Sequence, residues 1–249
     1  VKLAAIYNVW DGEELLAGSM KQIQEHVDSF ILVWQERSNF DEVNPDIRSY
    51  MESLQGGKVQ IIEYVPNPNL SGTVNERNKR RFGFDIAKQT GHTHFIFMDC
   101  DEYYHAHQFE AAKKYVIAND LDTSACNMYT YYKHPTYQIT PPESYFVPFI
   151  CKTNAQAVGS TFPVNVDPTR GVAPSGNFKR IDKSMCMMHH YSYIRKNIQR
   201  KLENSSAKVN WHSQIPSMVN EYNNYQLGQP MMRFNGTTKL VDNYFSIFE

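Results

Sequence analysis

Residues 3–9, 29–34, 59–65 and 94–98 form four short apolar runs in the first hundred residues. Helical spacing begins at Glu13 and continues to about Glu25. A second helical segment runs from about Val74 to Gln89 and is closed by Thr90-Gly91. Pro66 and Pro68 stop the third run. Continuous apolar runs alternating with helices predict parallel strands buried on both faces, with helices packed on each side. Ligands of such sheets bind beyond the carboxyl ends of the strands. The Glu13-Glu14 loop, the Gln35-Glu36 loop and the acidic residues after Met98 are all expected on that edge.

The pattern changes after about residue 105. A helix is expected from His107 to Asn119, and strands at about 123–133, 144–152 and 184–191. A Pro/Gly/Asn-rich stretch covers 162–177. A basic helix is expected from Tyr193 to about Ala207, and the rest reads as irregular, ending in the apolar patch Tyr244-Phe245-Ser246-Ile247-Phe248. No repeat and no long linker divides the chain. One domain over 1–249 is therefore expected, with a first half at 1–104 and a second half at 105–249.

Asp99-Cys100-Asp101-Glu102 follows directly on the fourth strand. Residues two apart on a strand share a side, so Asp99 and Asp101 can present two carboxylates to one ligand. Such a pair suits Mg²⁺ or Mn²⁺, which take oxygen ligands and bridge to phosphate oxygens. Asn75-Glu76-Arg77-Asn78-Lys79-Arg80-Arg81 opens the second helix. Arg77 and Arg81, four apart, share a face and suit an anionic phosphate at a helix start; the same spacing suits a solvated face. His189-His190 lies on the last expected strand. Because neighbours face opposite sides, one of the two can point toward the Asp pair and complete a metal shell. Arg195, Lys196, Arg200 and Lys201 follow, placed either to reach phosphate or to solvate their helix.

Bulk charge excludes one class of function. With 25 Lys and Arg against 26 Asp and Glu, the net charge of -1 gives no polyanion-binding field, so no nucleic-acid partner is expected. The four cysteines, Cys100, Cys126, Cys151 and Cys186, have no zinc spacing and read as free thiols of a reducing compartment. Residues 1–7 lack the features of a secretory leader, and no apolar stretch is long enough to span a bilayer. A cytoplasmic location is the expectation.

Taken together these segments resemble the family 2 glycosyltransferases of the GT-A fold, closely over about residues 3–104 and loosely beyond. Ile6-Tyr7-Asn8 with Glu13-Glu14 resembles the family's opening strand and acidic nucleotide loop, and Glu36-Arg37-Ser38 stands where a loop contacts the base. Arg77-Asn78, followed by Ala87 and Gly91, resembles the R-N helix. Asp99-Cys100-Asp101 is similar to the D-x-D that binds ribose and the metal–diphosphate, and His189-His190-Tyr191-Ser192-Tyr193 resembles a late segment whose His binds metal. The resemblance implies a nucleotide-sugar donor, UDP-linked by default, and a glycan, lipid-linked or protein acceptor. It also implies Mn²⁺ or Mg²⁺ as cofactor. Tyr7, Asn8, Glu36, Arg77, Arg81 and Asp99 would contact the donor, and Asp101 with His189 or His190 would hold the metal. The loop Gln35-Glu36-Arg37-Ser38-Asn39 departs from the common D-D-G-S pattern. No E-D pair marks an acceptor-side base; Asp167, in a Val-Asp-Pro turn, is the candidate.

Two other classes compete. A nucleotidyltransferase or sugar-nucleotide hydrolase on a similar sheet would want a glycine-rich loop after strand one, which Trp10-Asp11-Gly12-Glu13-Glu14 does not supply. A non-catalytic carbohydrate-binding module would use the 16 Tyr and 14 Phe as stacking surfaces.

Overall fold

Leu3–Val9 is buried along nearly its whole length, as a central strand must be. It is β1, and the first half continues α1 (Glu13–Ile23), β2 (Ser29–Trp34), α2 (Ile47–Leu54), β3 (Val59–Glu63), α3 (Gly72–Gln89) and β4 (His94–Asp99). The computed structural model describes residues 1–249 except 155, 159–161 and 174–175, and the backbone alone at 156–158 and 173. β3, β2, β1 and β4 pair in that order, all parallel. Odd residues of β1 (Leu3, Ala5, Tyr7, Val9) face α1, α2 and α4 (Ala106–Ala118), meeting Leu16, Met20, Met51, Phe109 and Val116. Even residues Ala4 and Ile6 face α3 through Phe84 and Ala87. This is the expected two-faced α/β sheet.

The second half runs β5 (Glu102–Tyr103), α4, β6 (Thr123–Tyr132), β7 (Tyr137–Thr140), β8 (Phe146–Pro148), β9 (Cys151–Lys152), β10 (Gln156–Val158), β11 (Val172–Ala173), β12 (Phe178–Arg180), β13 (Met187–Tyr193), α5 (Ile198–Glu203), α6 (Ile215–Asn224) and β14 (Thr237–Leu240). β9 adds an antiparallel edge to β4. A second sheet has the order β14-β7-β6-β13-β5, with β8 and β12 also on β6. The two halves share one core, since the largest apolar cluster runs from Leu3 to Met188.

Several expectations change here. The strand expected at 144–152 is split into β8 and β9, which join different sheets. Tyr193 ends β13 rather than opening a helix, and the basic helix shrinks to α5. The tail expected to be irregular contains α6, whose Ile215, Met218 and Tyr222 form a buried stripe at helical spacing. α2 was masked by its polar composition; Ile47 and Met51 alone are buried. Residues 174 and 175 of the Pro/Gly/Asn-rich stretch lie outside the described residues.

α3 approaches β1 and β2 closely at Gly83, where a Cβ would overlap Ile6 Cγ2 and lie 2.8 Å from Val33 Cγ2. In an open helix Gly→Ala gains about 1 kcal/mol. At this position overpacking dominates, and Gly83→Ala is expected to destabilise the protein by about 1–3 kcal/mol. Urea unfolding measures it; an unchanged or raised midpoint would contradict this packing.

Candidate functional site

The strand order places a switch point between β1 and β4: the chain leaves β1 toward β2 on one side and returns as β4 on the other. Asn8 and Asp99 are register partners at the carboxyl ends of these strands. A cleft of about 630 Å³ opens there. Trp10 and Asp11 line it from the end of β1, Gln35, Ser38 and Asn39 from the end of β2, and Thr73, Glu76 and Lys79 from α3. The second half contributes Glu143–Val147, Asp167–Arg170, His190 and the segment from Ser192 to Trp211, together with Arg233.

Asp99 ends β4, Cys100 and Asp101 turn, and Glu102 opens β5. The acidic motif is thus a strand end plus a turn, with the Cys100 side chain buried. Asp101 and Glu102 are 4% and 1% exposed, so each needs a compensating charge. Arg80 Nη2 donates to both oxygens of Asp99, at 2.9 and 3.0 Å. Arg170 Nη2 bridges Asp99 Oδ2 and Glu102 Oε1, the latter at 2.5 Å. Glu102 Oε2 accepts from the Asp99 backbone N–H at 3.0 Å. Arg195 Nη2 binds Asp101 Oδ2 at 2.6 Å. Burial alone would raise the Asp99 carboxyl, but Arg170 and Arg80 overcome it and hold it well below its usual range. At Asp101 burial is likewise outweighed, by Arg195 and then His190. At Glu102 burial wins over Arg170, and its affinity for a proton rises.

One buried oxygen of the motif, Asp101 Oδ1, has no hydrogen-bond partner among the described residues. His190 Nε2 stands 3.7 Å from it. β13 carries the histidine there by pairing antiparallel with β5, His190 opposite Glu102 and His189 opposite Tyr103. No group of three or more His, Cys, Asp or Glu side chains converges among the described residues. Two protein groups could contribute to a divalent cation whose remaining ligands would be water and phosphate oxygens. Asp101 Oδ1 and His190 Nε2 are the protein groups that would hold it.

Alternation corrects half of the histidine pair. His189 is 4% exposed on the opposite side of β13, its Nδ1 2.6 Å from the Tyr131 hydroxyl, and packed against His105 and Phe245. Burial drops its pKa to about 3, so it stays neutral. The same rule separates Tyr7 from Asn8. Tyr7 is buried against α1 with its hydroxyl 2.8 Å from Ser19 Oγ, whereas Asn8 lines the cleft and leaves Oδ1 without a partner. Glu36 points outward, 3.7 Å from Arg48, while its neighbour Gln35 faces the cleft.

The arginine expectation shifts by one helical phase. Arg81 is exposed and 3.9 Å from Asp85, and Arg77 is half-buried outside the cleft lining. Glu76, Lys79 and Arg80 face inward instead. Arg80 lies on the same helix face as Gly83, Phe84 and Ala87, and that apolar face was the signal that could have identified it. Lys79 Nζ donates to the Val9 carbonyl at 2.7 Å, and burial pulls its pKa to about 7. Arg170 had no local signal, because its partners lie about seventy residues away. Asp167 does line the cleft; its Oδ1 accepts from Thr169 N and Oγ1, both at 2.7 Å, as its turn position predicts. Oδ2 remains for a ligand. All four cysteines are unpaired and buried. No helix among the described residues is long and apolar enough to cross a membrane.

No protein-family model matches the sequence, and no curated protein matches it. Among solved structures the chain is similar to a crystal structure of S. aureus TarS 1-349, at 9% identity over 90% of this chain and 75% of that one, with a TM-score of 0.49. It is also similar to S. aureus TarS 1-349 in complex with UDP-GlcNAc, at 10% identity over 86% and 70% and a TM-score of 0.41. A third is mannose-1-phosphate geranyltransferase from Thermus thermophilus, at 12% identity over 60% and 50% and a TM-score of 0.35. At these identities no side-chain role passes from those proteins to this chain.

Proposed function

We propose that this chain is a glycosyltransferase of the GT-A type, moving a sugar from a nucleotide-sugar donor, a UDP-sugar, to an acceptor hydroxyl in glycan or polysaccharide synthesis. The acceptor is a glycan, a lipid-linked saccharide or a protein. The observation that carries the reading is the place of Asp99 and Asp101: at the switch point of a parallel sheet, in a cleft of about 630 Å³, with Asp101 Oδ1 unpartnered and facing His190. The first turn of α1 argues against phosphate binding in the manner of a nucleotidyltransferase. It carries Glu13 and Glu14, whose charge repels phosphate from that helix start. Four unpaired buried thiols favour a cytoplasmic site of action.

In this reading Asp101 and His190 would hold Mn²⁺ or Mg²⁺, which would supply charge stabilisation to the departing diphosphate. Asp99, fixed by Arg80 and Arg170, stands beside Asn8 to receive the ribose. Asp167 accepts the proton of the acceptor hydroxyl as that oxygen bonds to the anomeric carbon and the carbon–phosphate oxygen bond breaks, giving inversion. Thr169 holds the Asp167 carboxylate by two hydrogen bonds, which keeps Oδ2 aimed rather than freely rotating.

Calorimetric titration with UDP tests the donor site. Mn²⁺ is expected to tighten UDP binding by at least about tenfold in the wild type and to leave Asp101→Ala unaffected, as loss of a charge-assisted contact implies. Equal affinity with and without Mn²⁺ would remove the cation from the proposal, and no UDP binding at all would remove the transferase. Asp167→Asn is expected to lower the rate of UDP release from the preferred UDP-sugar by about 10²–10⁴-fold with donor affinity nearly unchanged. A rate within about threefold of wild type would deny Asp167 the role of base.

A further inference from the structure

The cations around the cleft divide into three sets, one of them Lys79 alone, which donates to the Val9 carbonyl. Arg80, Arg170 and Arg195 are paired with the acidic motif. Lys201 and Arg233 also line the cleft, yet neither has a carboxylate within salt-bridge distance among the described residues. Lys201 Nζ donates to Ser192 Oγ at 2.7 Å and stands 5.6 Å from the centre of the Tyr193 ring. The Arg233 guanidinium is 5.4 Å from the same ring centre and 4.0 Å from that of Trp211. Trp211 lines the cleft too, and its Nε1–H is buried with no acceptor among the described residues. Two like charges around one tyrosine, beside an unsatisfied buried donor, form an arrangement that lacks its anion. Burial pulls the Lys201 ammonium below its usual value; Asp101 opposes that from a distance, and the Arg195 and Arg233 charges add to it. An anion placed against Lys201 and Arg233 would offset their mutual repulsion.

We propose that Lys201, Arg233 and Trp211 Nε1–H form a receptor for a phosphate group in the second half of the cleft. A carboxylate offers two oxygens in one plane. A phosphate offers oxygens in several directions, matching an ammonium, a guanidinium fork and an indole N–H that arrive from three separate elements. The guanidinium lies over the Trp211 ring in a cation–π contact that does not consume its N–H groups. The phosphate comes either from the donor's diphosphate or from a phosphorylated acceptor. Only the donor source rests on the transferase reading above.

The test follows the indole N–H resonance of Trp211 by NMR in the full chain, assigned through Trp211→Phe. Inorganic phosphate, methyl phosphate with UDP present, UDP and uridine are titrated in turn. Inorganic phosphate is expected to shift the Trp211 signal, and Lys201→Met and Arg233→Gln are each expected to weaken that binding by about tenfold. If the donor is the source, UDP shifts the signal, uridine does not, and both variants weaken UDP by a similar factor. If the acceptor is the source, UDP affinity is unchanged in the variants while methyl phosphate, added with UDP present, binds about tenfold more weakly. Arg233 is exposed, so Arg233→Gln is expected to keep the wild-type melting temperature and decides the matter even if Lys201→Met unfolds. A Trp211 resonance unmoved by every phosphate-bearing probe, or variants that bind all of them as tightly as wild type, overturns the receptor. Failure of the transferase reading looks different: UDP then binds no better than uridine, while inorganic phosphate still shifts Trp211.

Discussion

Arg170 is the group on which the site's geometry turns. One guanidinium reaches Asp99 at the end of β4 and Glu102 at the start of β5, and so sets the turn that carries Asp101 between them. Arg80 meets the same Asp99 from α3, adding Glu76 Oε1 at 2.8 Å. Thr169 Oγ1, next to Arg170, also lies 3.2 Å from Glu76 Oε1, the more distant of the two carboxylates that share its one hydroxyl proton. The central helix, the acidic turn and the 167–170 loop are thereby tied into one network of charge-assisted hydrogen bonds. Such a network is costly to leave partly satisfied, because each buried carboxylate that lost its arginine would be left as an uncompensated charge. The loop that brings Asp167 to the cleft is consequently anchored by the same contacts that order Asp99 and Glu102.

The second sheet completes the site by pairing rather than by side-chain contact alone. β5 is only two residues long, yet it is the strip on which β13 lands antiparallel. The Tyr191 backbone N–H adds a bond to the Asp101 carbonyl at 2.8 Å. These backbone bonds place His190 beside Asp101 and send His189 into a shell of Tyr131, Tyr129, Phe245 and His105. The aromatic richness of the chain is used here and around Tyr132, Tyr222 and Tyr225, in packed clusters, more than as an open stacking surface.

What could be read from the sequence follows from how local each determinant is. The four parallel strands and α3 were legible because continuous apolar runs and a helical stripe are local signals. The position of Asp99-Cys100-Asp101 at a strand end was legible for the same reason. The phase of α3 was misjudged when charge spacing was given more weight than the apolar face: Gly83, Phe84 and Ala87 set which way the helix points, and they select Arg80 over Arg77 and Arg81. Tyr7 faces α1 rather than the cleft, and the choice between His189 and His190 stays open in the sequence, because only strand pairing resolves a period-2 alternation. Arg170 and the split of the expected 144–152 strand depend on contacts between distant segments, for which no local pattern exists.

The acidic start of α1 connects these observations. Gly12, with φ of 98°, makes a turn that only glycine takes without strain, and Glu13 and Glu14 follow in the first helical turn. Instead of a ligand, that helix start receives the chain itself. Glu13 Oε1 accepts from Asn44 Nδ2 at 2.9 Å, and Glu14 Oε1 accepts from the Lys196 backbone N–H at 3.2 Å. A side chain at Gly12 would meet the Arg195 guanidinium within 3.3 Å. Glu13 therefore ties α1 to the Asn44 loop of the same half, while Glu14, with Asp101, docks the segment that begins at Arg195, and that segment delivers Lys201 to the cleft wall. Asp11, Asp99 and Asp101 come to the cleft from the strand ends of the first sheet, and Lys201 and Arg233, which have no carboxylate partner among the described residues, come from the second half. The two sets of charge meet because Glu14, the β5–β13 pairing and the Arg170 and Arg195 ion pairs together hold the second half against the first.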